Sequence, residues 1–189
     1  MADNPQLKFI NNQRGYLTCD VTPDEWRDTF RDAVPEQMTG ADFLDTRQFR
    51  TNQPCGDGYK VACADVTSPR AHIISSEEEA WLTHNLQTRD ARWNVVAQQV
   101  MMMSLDWRKT PDQPPGKQLN LDSWAGYEVQ RERVLARIRG LGNVVVLTGD
   151  EHTNYAGLLH DRDRPVAVEF VGTSISSDGD GGGAPTWAF

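Results

Sequence analysis

One stretch near residue 150 constrains the fold more than any other part of this 189-residue chain. A run of apolar and β-favouring residues, Val144–Thr148, ends abruptly at Gly149. A short apolar run bounded by a glycine is typical of a buried strand. Asp150 and His152 follow at once. Because ligands bind at the carboxyl ends of strands in α/β folds, the pattern places a carboxylate and an imidazole where a site would lie.

Asp150 and His152 suit two kinds of chemistry. Both side chains serve as metal ligands in proteins, and both take part in acid–base catalysis. A structural interpretation is equally open, in which Asp150 caps a following helix and His152 is a surface histidine. The local sequence alone favours neither interpretation over the other.

The composition argues against several classes of function. The net charge is −8 and the sequence pI is about 4.9, which disfavours binding to nucleic acids or anionic membranes. The sequence contains no apolar run of the length that a membrane span needs, and its first residues do not resemble a signal peptide. A hydrophobic fraction of 38% and a charged fraction of 24% are typical of a globular chain, and the length suits one domain.

The cysteines allow one disulfide but leave open whether it forms. Cys55 and Cys63 lie in a loop rich in turn residues, at a spacing that a small disulfide can close. The same spacing is a poor zinc signature, because no second close pair accompanies it. Cys19 lies in a predicted strand and is expected to be a buried thiol. A disulfide would indicate an oxidising compartment, but the localisation stays open without a signal peptide.

The first part of the chain predicts a hairpin followed by a helix. Residues 7–10 and 16–21 alternate in polarity and flank a turn-rich segment, which predicts a β-hairpin. Thr22 as the N-cap and Pro23 at the first helical position then predict a helix. The connector at residues 35–40 is where two units would join.

From residue 41 onward, strands and helices alternate, which predicts an α/β or layered α+β fold. Met101 to Met103 follow a predicted strand and are expected to fill the core. Residues 51–70 and 106–121 lack periodicity and are predicted loops. The predicted elements are a strand at 41–45, a helix from Ser76 with Glu79 at capping-box spacing, a strand at 94–100, a helix at 128–139, and strands at 144–148 and 166–171.

Polar residues follow each of these strands directly. If the strands share one sheet and one orientation, their ends bring the polar residues into one cluster. An arginine there suits the charge of a phosphoryl oxyanion, and Asp and His suit a metal-activated water. Two alternatives stay open: Asp45 and Arg47 form a structural ion pair, and Asp122 is a helix N-cap. The candidates are Asp45, Arg47, Gln98, Gln99, Asp150, His152, Thr173, Ser174 and Ser176.

Five blocks of sequence carry a family resemblance. They are Asp45-Thr-Arg-Gln-Phe-Arg-Thr-Asn-Gln-Pro-Cys55, Arg92-Trp-Asn-Val-Val-Ala-Gln-Gln-Val100, Asp122-Ser-Trp-Ala-Gly-Tyr127, Leu147-Thr-Gly-Asp-Glu-His152 and Val168-Glu-Phe-Val-Gly-Thr-Ser-Ile-Ser-Ser177. In this order they resemble the PhoD-type alkaline phosphatases of the metallophosphoesterase-like group. The resemblance implies an α/β/β/α sandwich, incomplete in this chain. It also implies a mixed iron–calcium centre and hydrolysis of phosphomonoesters or phosphodiesters by a metal-activated water.

The resemblance also assigns residues. Asp150, His152 and Arg47 would be catalytic, and Asp150, His152 and Asp122 would be metal ligands. The blocks lie within residues 41–180 and resemble the C-terminal part of the family, whose early metal ligands have no counterpart here. Residues 4–34 resemble the segment that normally ends the family's domain. The chain is therefore expected to be a single, rearranged PhoD-like lobe over residues 1–189, in a family whose members are usually exported.

The expected partners follow from these assignments. As an enzyme, the chain would bind a phosphoester substrate and neither nucleic acid nor membrane. As a truncated or permuted relative without catalysis, it would be a structural or oligomerising module. Half of a layered fold would leave apolar sheet surface, so a homo-oligomer that covers this surface is a further expectation.

Overall fold

A mixed β-sheet frames the computed structural model, which describes residues 7–11, 19–21, 26–28, 39–56, 58–108 and 116–173. The described helices are α1 (Ser76–Thr88) and α2 (Glu128–Ile138), with a 3₁₀ turn at Trp124–Gly126. The described strands are β1 (Leu7–Asn11), β2 (Cys19–Val21), β3 (Trp26–Asp28), β4 (Thr39–Phe43), β5 (Tyr59–Val61), β6 (Trp93–Gln98), β7 (Gln118–Asn120), β8 (Val144–Thr148), β9 (Asn154–Asp161) and β10 (Arg164–Val171).

Six of these strands form one sheet in the order β1-β9-β10-β8-β6-β4. The four strands β10, β8, β6 and β4 are neighbours and run parallel. β9 is antiparallel to β10, and β1 is antiparallel to β9. The four parallel strands therefore end at one edge of the sheet, as the α/β prediction requires.

The N-terminal strands pair differently from the prediction. β1 pairs with β9 at the edge of the main sheet, whereas β2 pairs with β3 in a separate ribbon, so the predicted hairpin of residues 7–10 and 16–21 is wrong. The predicted helix after Thr22 is also wrong at Trp26–Asp28, which are extended. Aromatic residues favour strands, and pairing with a neighbouring strand outweighs local helix signals. The other residues of that predicted helix, 22–25 and 29–34, lie outside the described residues.

Helix α1 begins at Ser76, as predicted, but its N-cap is Ser75 and not Ser76. The hydroxyl of Ser75, rather than that of Ser76, accepts the N–H of Glu78 at 3.0 Å. Glu79 does not close the predicted capping box, because its carboxylate accepts hydrogen bonds from Gln130 and Arg133 of α2. The sequence also predicts an apolar face of Ala80, Trp81, Leu82 and Leu86, of which Leu82 and Leu86 are buried whereas Ala80 and Trp81 are exposed.

Helix α2 matches its prediction closely and ties the helical layer to the sheet. Val134, Leu135 and Ile138 are buried in the core. The buried amide of Gln130 accepts the N–H of Ile73 at 2.7 Å and donates to the carbonyl of Ile74 at 3.0 Å. These bonds satisfy the backbone that leads into α1, so α1 and α2 are fixed as one layer.

The two predicted loops contain short strands. β5 and β7 pair with each other across a sequence separation of more than fifty residues. Each strand has only three residues, and those of β5 are all exposed, so no alternating pattern marks it. Met101 to Met103 are buried, as predicted, but they lie in an irregular segment after β6 and do not extend the strand.

The sheet's second face is apolar. Alternation along the strands places residues such as Val95, Leu147 and Phe170 on the face opposite α1 and α2. Phe43 on the edge strand β4 is 74% exposed. The homo-oligomer expected from such a face stays a prediction. Among the described helices, none has the length and apolar character needed to cross a lipid bilayer.

Candidate phosphoester site

The carboxyl edge of the parallel strands carries an open cleft of about 500 Å³. Four segments line it: residues 47–53 after β4, residues 58–59 at the start of β5, residues 120–122 at the end of β7, and residues 150–152 after β8. These segments contain Arg47, Asp122, Asp150 and His152, the four residues that the sequence and the family resemblance singled out. The parallel sheet thus brings together residues that lie up to 105 positions apart in the chain.

Arg47 is the centre of this cluster. Its Nη1 donates to Asp122 Oδ2 at 2.8 Å, and its Nη2 donates to Asp150 Oδ2 at 2.7 Å. One guanidinium therefore links the loop before the 3₁₀ turn to the loop after β8. Burial opposes the charge of Arg47, but its bonds to the two carboxylates outweigh this effect and raise its pKa.

Asp122 accepts hydrogen bonds from two other side chains besides Arg47. Its Oδ1 accepts from Arg50 Nη1 and from Gln53 Nε2, each at 2.5 Å. Burial acts to raise the pKa of Asp122, but the hydrogen bonds and charges of Arg47 and Arg50 lower it. The N-cap prediction for Asp122 is wrong, because the hydroxyl of Ser123 caps the 3₁₀ turn instead.

The predicted Asp45–Arg47 ion pair is also absent from the described contacts. The carboxylate of Asp45 accepts the backbone N–H groups of Arg47 and Gln48 at 3.0 and 2.9 Å. These two backbone bonds lower the pKa of Asp45. Asp45 thus shapes the turn after β4, and this leaves the Arg47 side chain directed at Asp122 and Asp150.

The segment after β8 has an unusual backbone. Asp150 and His152 have φ angles of 67° and 52°, in the left-handed region that residues with a Cβ adopt at a cost of about 1–2 kcal/mol each. Strained residues of this kind concentrate at functional sites. Asp150 caps no helix, since β9 follows directly from Asn154. His152 is half-buried and lines the cleft, so it is not an ordinary surface histidine.

Glu151 is a cleft residue that the sequence did not single out. It is half-buried, and its Oε1 accepts Nδ2 of Asn120 at 3.2 Å. Burial raises its pKa to about 7, helped by the negative charges of Asp150 and Glu169. The only local signal was its position between Asp150 and His152.

A buried carboxylate, that of Glu169, holds the ends of neighbouring strands next to the cleft. Glu169 of β10 has no exposed surface. It accepts the N–H groups of Met102 and Met103 at 2.7 and 2.6 Å, and the hydroxyl of Thr148 at 2.7 Å. Burial raises the pKa of Glu169, while these bonds favour its charge. A charged residue inside the apolar strand at 166–171 was the sequence signal that could have revealed it.

The hydrogen-bonded chain continues through the ends of two more strands. Gln98 Nε2 donates to the Thr148 hydroxyl at 3.2 Å, and Gln98 Oε1 accepts Nε1 of Trp124 at 2.5 Å. Gln98 therefore lies below the cleft and does not line it. The network spans β6, β8 and β10, so the starting point of the 149–152 segment is fixed by buried hydrogen bonds.

The remaining predicted residues have structural roles or lie outside the described residues. Gln99 accepts the N–H and hydroxyl of Thr46 at 2.9 and 2.7 Å, which positions the turn that leads to Arg47. The N–H of Thr173 donates to Asn154. Ser174, Ser176 and the side chain of Cys19 lie outside the described residues.

The disulfide that the cysteine spacing allows is present. Cys55 and Cys63 are bonded, with their Cα atoms 5.8 Å apart. The bridge closes the loop that follows Arg50 and Gln53, two donors to Asp122. It therefore restrains one wall of the cleft.

The described residues, as arranged here, do not fit a metal centre. Both oxygens of Asp122 already accept hydrogen bonds from cationic or amide donors, and Arg47 lies between Asp122 and Asp150. Within the described ranges, no three His, Cys, Asp or Glu side chains lie close enough to share an ion. The assignment of Asp122, Asp150 and His152 as metal ligands stays a prediction from the resemblance.

Comparison with known proteins decides the family. A sequence model described as PhoD-like phosphatase matches residues 38–186. The chain belongs to the PhoD-like phosphatase family. This PhoD-like chain is 41% identical over 151 residues to alkaline phosphatase D of Bacillus subtilis (strain 168), an alignment that covers 76% of the chain and 25% of that relative.

A solved structure described as "Structure of PhoD" agrees with this assignment. It matches with a TM-score of 0.68 and 37% identity, over 75% of this PhoD-like chain and 28% of the solved one. The chain thus spans about a quarter of the length of the curated relative it matches. The family resemblance and the α/β core are confirmed, and the partial coverage fits the predicted C-terminal part.

Proposed function

We propose that this PhoD-like chain acts in the hydrolysis of phosphoric monoesters or diesters, and that the phosphoryl group binds in the cleft beside Arg47. The observation that carries this proposal is the pair of guanidinium groups, Arg47 and Arg50, on the wall of a cleft at the carboxyl edge of a PhoD-like sheet. The planar fork of arginine matches phosphoryl oxygens better than any other side chain.

Binding of the phosphoryl group would begin with the replacement of one hydrogen-bond acceptor of Arg47 by another. Asp150 holds Arg47 through one oxygen, and its side chain is 48% exposed, so this bond is weak and accessible to competition. Asp122 is less exposed and is held by Arg47, Arg50 and Gln53 together. A phosphoryl oxygen would therefore displace Asp150 from Arg47 Nη2, while Asp122 keeps both arginines in place.

Two other residues of the cleft suit proton transfer. Glu151, with a pKa of about 7, holds or releases a proton near neutral pH. His152 lines the same cleft, and imidazole is the most common general acid or base in enzymes. These roles rest on position and chemistry, together with the family to which the chain belongs.

Iron and calcium are the ions that the family resemblance implies. Such ions supply an activated water and stabilise phosphoryl charge when they are bound. We assign no step to them here, because the described residues do not fit a metal centre as arranged.

The test is hydrolysis of p-nitrophenyl phosphate and bis(p-nitrophenyl) phosphate by the purified chain. The assay is run with iron and calcium supplied, and again with a chelator. We expect turnover of at least one ester, and a loss of about 100-fold or more in His152→Ala. Arg92→Gln, at the opposite end of β6, serves as the matched control. Absence of turnover, or turnover unchanged in His152→Ala, would contradict the proposal.

A further inference from the structure

Two carboxylates at the cleft share one guanidinium. Asp122 Oδ2 and Asp150 Oδ2 both accept hydrogen bonds from Arg47. These are the two aspartates that the resemblance expects at a metal. The Arg47 guanidinium thus occupies the position between the two carboxylates that a metal ion would need.

The charges at this point are balanced without any ion. Asp122 and Asp150 carry two negative charges, and Arg47 and Arg50 carry two positive ones. A divalent cation that approaches the pair therefore meets no net attraction from these four groups. It must also displace the Arg47 donors before it reaches either Oδ2 atom.

The two oxygens of Asp122 differ in how they are held. Oδ1 accepts from Arg50 and Gln53 at 2.5 Å each, as well as from Arg47 at 3.0 Å. Oδ2 accepts only from Arg47 among the described contacts. Removal of the Arg47 guanidinium would therefore release Oδ2 of Asp122 and Oδ2 of Asp150, while Arg50 and Gln53 keep Asp122 in position.

We propose that Arg47 is the built-in counter-cation of the Asp122–Asp150 pair, and that these two carboxylates bind a hard divalent cation only when the guanidinium is withdrawn. Carboxylate oxygens are the ligands that Ca²⁺ prefers, and it tolerates irregular geometry. The inference concerns ion binding in the absence of substrate, so it does not depend on the proposed hydrolysis.

The test is a titration of the purified chain with Ca²⁺ by isothermal calorimetry. The wild type should bind at this pair no more tightly than about 1 mM, the weak end of protein calcium sites. Arg47→Met keeps the apolar stem and removes the donors, and it should bind at least about 10-fold more tightly. Adding Asp150→Asn to Arg47→Met should abolish the gain, and Arg92→Met should behave as the wild type.

Three results would overturn the proposal. The first is a gain in Arg47→Met that survives the addition of Asp150→Asn, and the second is no gain in a folded Arg47→Met protein. The third needs no Arg47 variant: micromolar Ca²⁺ binding by the wild type that Asp150→Asn removes. This third result can overturn the proposal even if Arg47→Met does not fold.

Discussion

Arg47 Nη2 donates to Asp150 Oδ2 at 2.7 Å and so joins the turn after β4 to the turn after β8, across 103 residues of sequence. The contact exists because β4, β6 and β8 are parallel and end at the same edge. It places the residue that suits a phosphoryl group next to the strained 150–152 segment. The cleft is therefore organised by charge as well as by strand topology.

The two aspartates on Arg47 should differ in their effect on stability. Asp150 makes one exposed ion pair, so Asp150→Asn should change the free energy of unfolding by less than about 1 kcal/mol. Asp122 accepts from three side chains and is partly buried, so Asp122→Asn should cost about 1–3 kcal/mol. Urea unfolding of both variants measures the difference. Equal effects would show that the donors of Asp122 contribute nothing beyond an exposed pair.

Both Glu169→Gln and Glu169→Ala should lower the free energy of unfolding. In Glu169→Gln one acceptor oxygen becomes an NH₂ group that faces a backbone N–H, so we expect a loss of about 2–4 kcal/mol in the free energy of unfolding. Glu169→Ala leaves three donors without their acceptor and should lose at least as much. Chemical denaturation gives both values. Glu132→Gln, at an exposed position of α2, is the control, and a similar small effect in all variants would refute this role.

Glu151 should make the fold less stable at alkaline pH. Its pKa is about 7 in the folded chain against an ordinary value of 4.5, so the folded state binds the extra proton between these pH values. The free energy of unfolding should therefore fall as the pH rises from about 4.5 to about 7, by up to about 3 kcal/mol from this group.

The Glu151→Gln variant isolates this contribution. It should match the wild type near pH 4.5 and exceed its stability at pH 8, because the amide has no proton to lose. Urea unfolding at the two pH values, with Glu132→Gln alongside, tests the difference. Parallel loss of stability in Glu151→Gln and the wild type would rule out Glu151 as the cause.

The disulfide should stabilise the chain through its unfolded state. A bridge over a sequence separation of 8 removes loop entropy worth about 2–3 kcal/mol. The double variant Cys55→Ser/Cys63→Ser should lose about this amount in urea unfolding, and dithiothreitol should have the same effect on the wild type but none on the variant. An oxidised wild type no more stable than the variant would contradict this prediction.

The sequence predicted the parts of the site that depend on local pattern. The strand Val144–Thr148 and the polar residues after it were recognisable because strand propensity and a terminating glycine are local signals. Arg47 was predicted near Asp150 because residues that follow parallel strands meet at one edge. The first prediction required only the local pattern, and the second required only the direction of the strands.

Other features depend on contacts that no local pattern encodes. Gln53 reaches Asp122 across 69 residues, and β1 pairs with β9 at the far edge of the sheet. Short strands such as β5 have too few residues to show alternation. Glu169 looked like an interruption of an apolar strand, and only the fold shows the three donors around it. These features follow from tertiary structure, which outweighs local propensity.

The most direct test of the phosphoester site is kcat/KM for p-nitrophenyl phosphate in the wild type, Arg47→Lys and the control Arg92→Lys. Lysine keeps the positive charge at position 47 but loses the second donor of the fork. The phosphoester site predicts activity in the wild type, a fall of about 10- to 100-fold in Arg47→Lys, and no change beyond about 2-fold in the control. Full activity in Arg47→Lys, or none in the wild type, would contradict it.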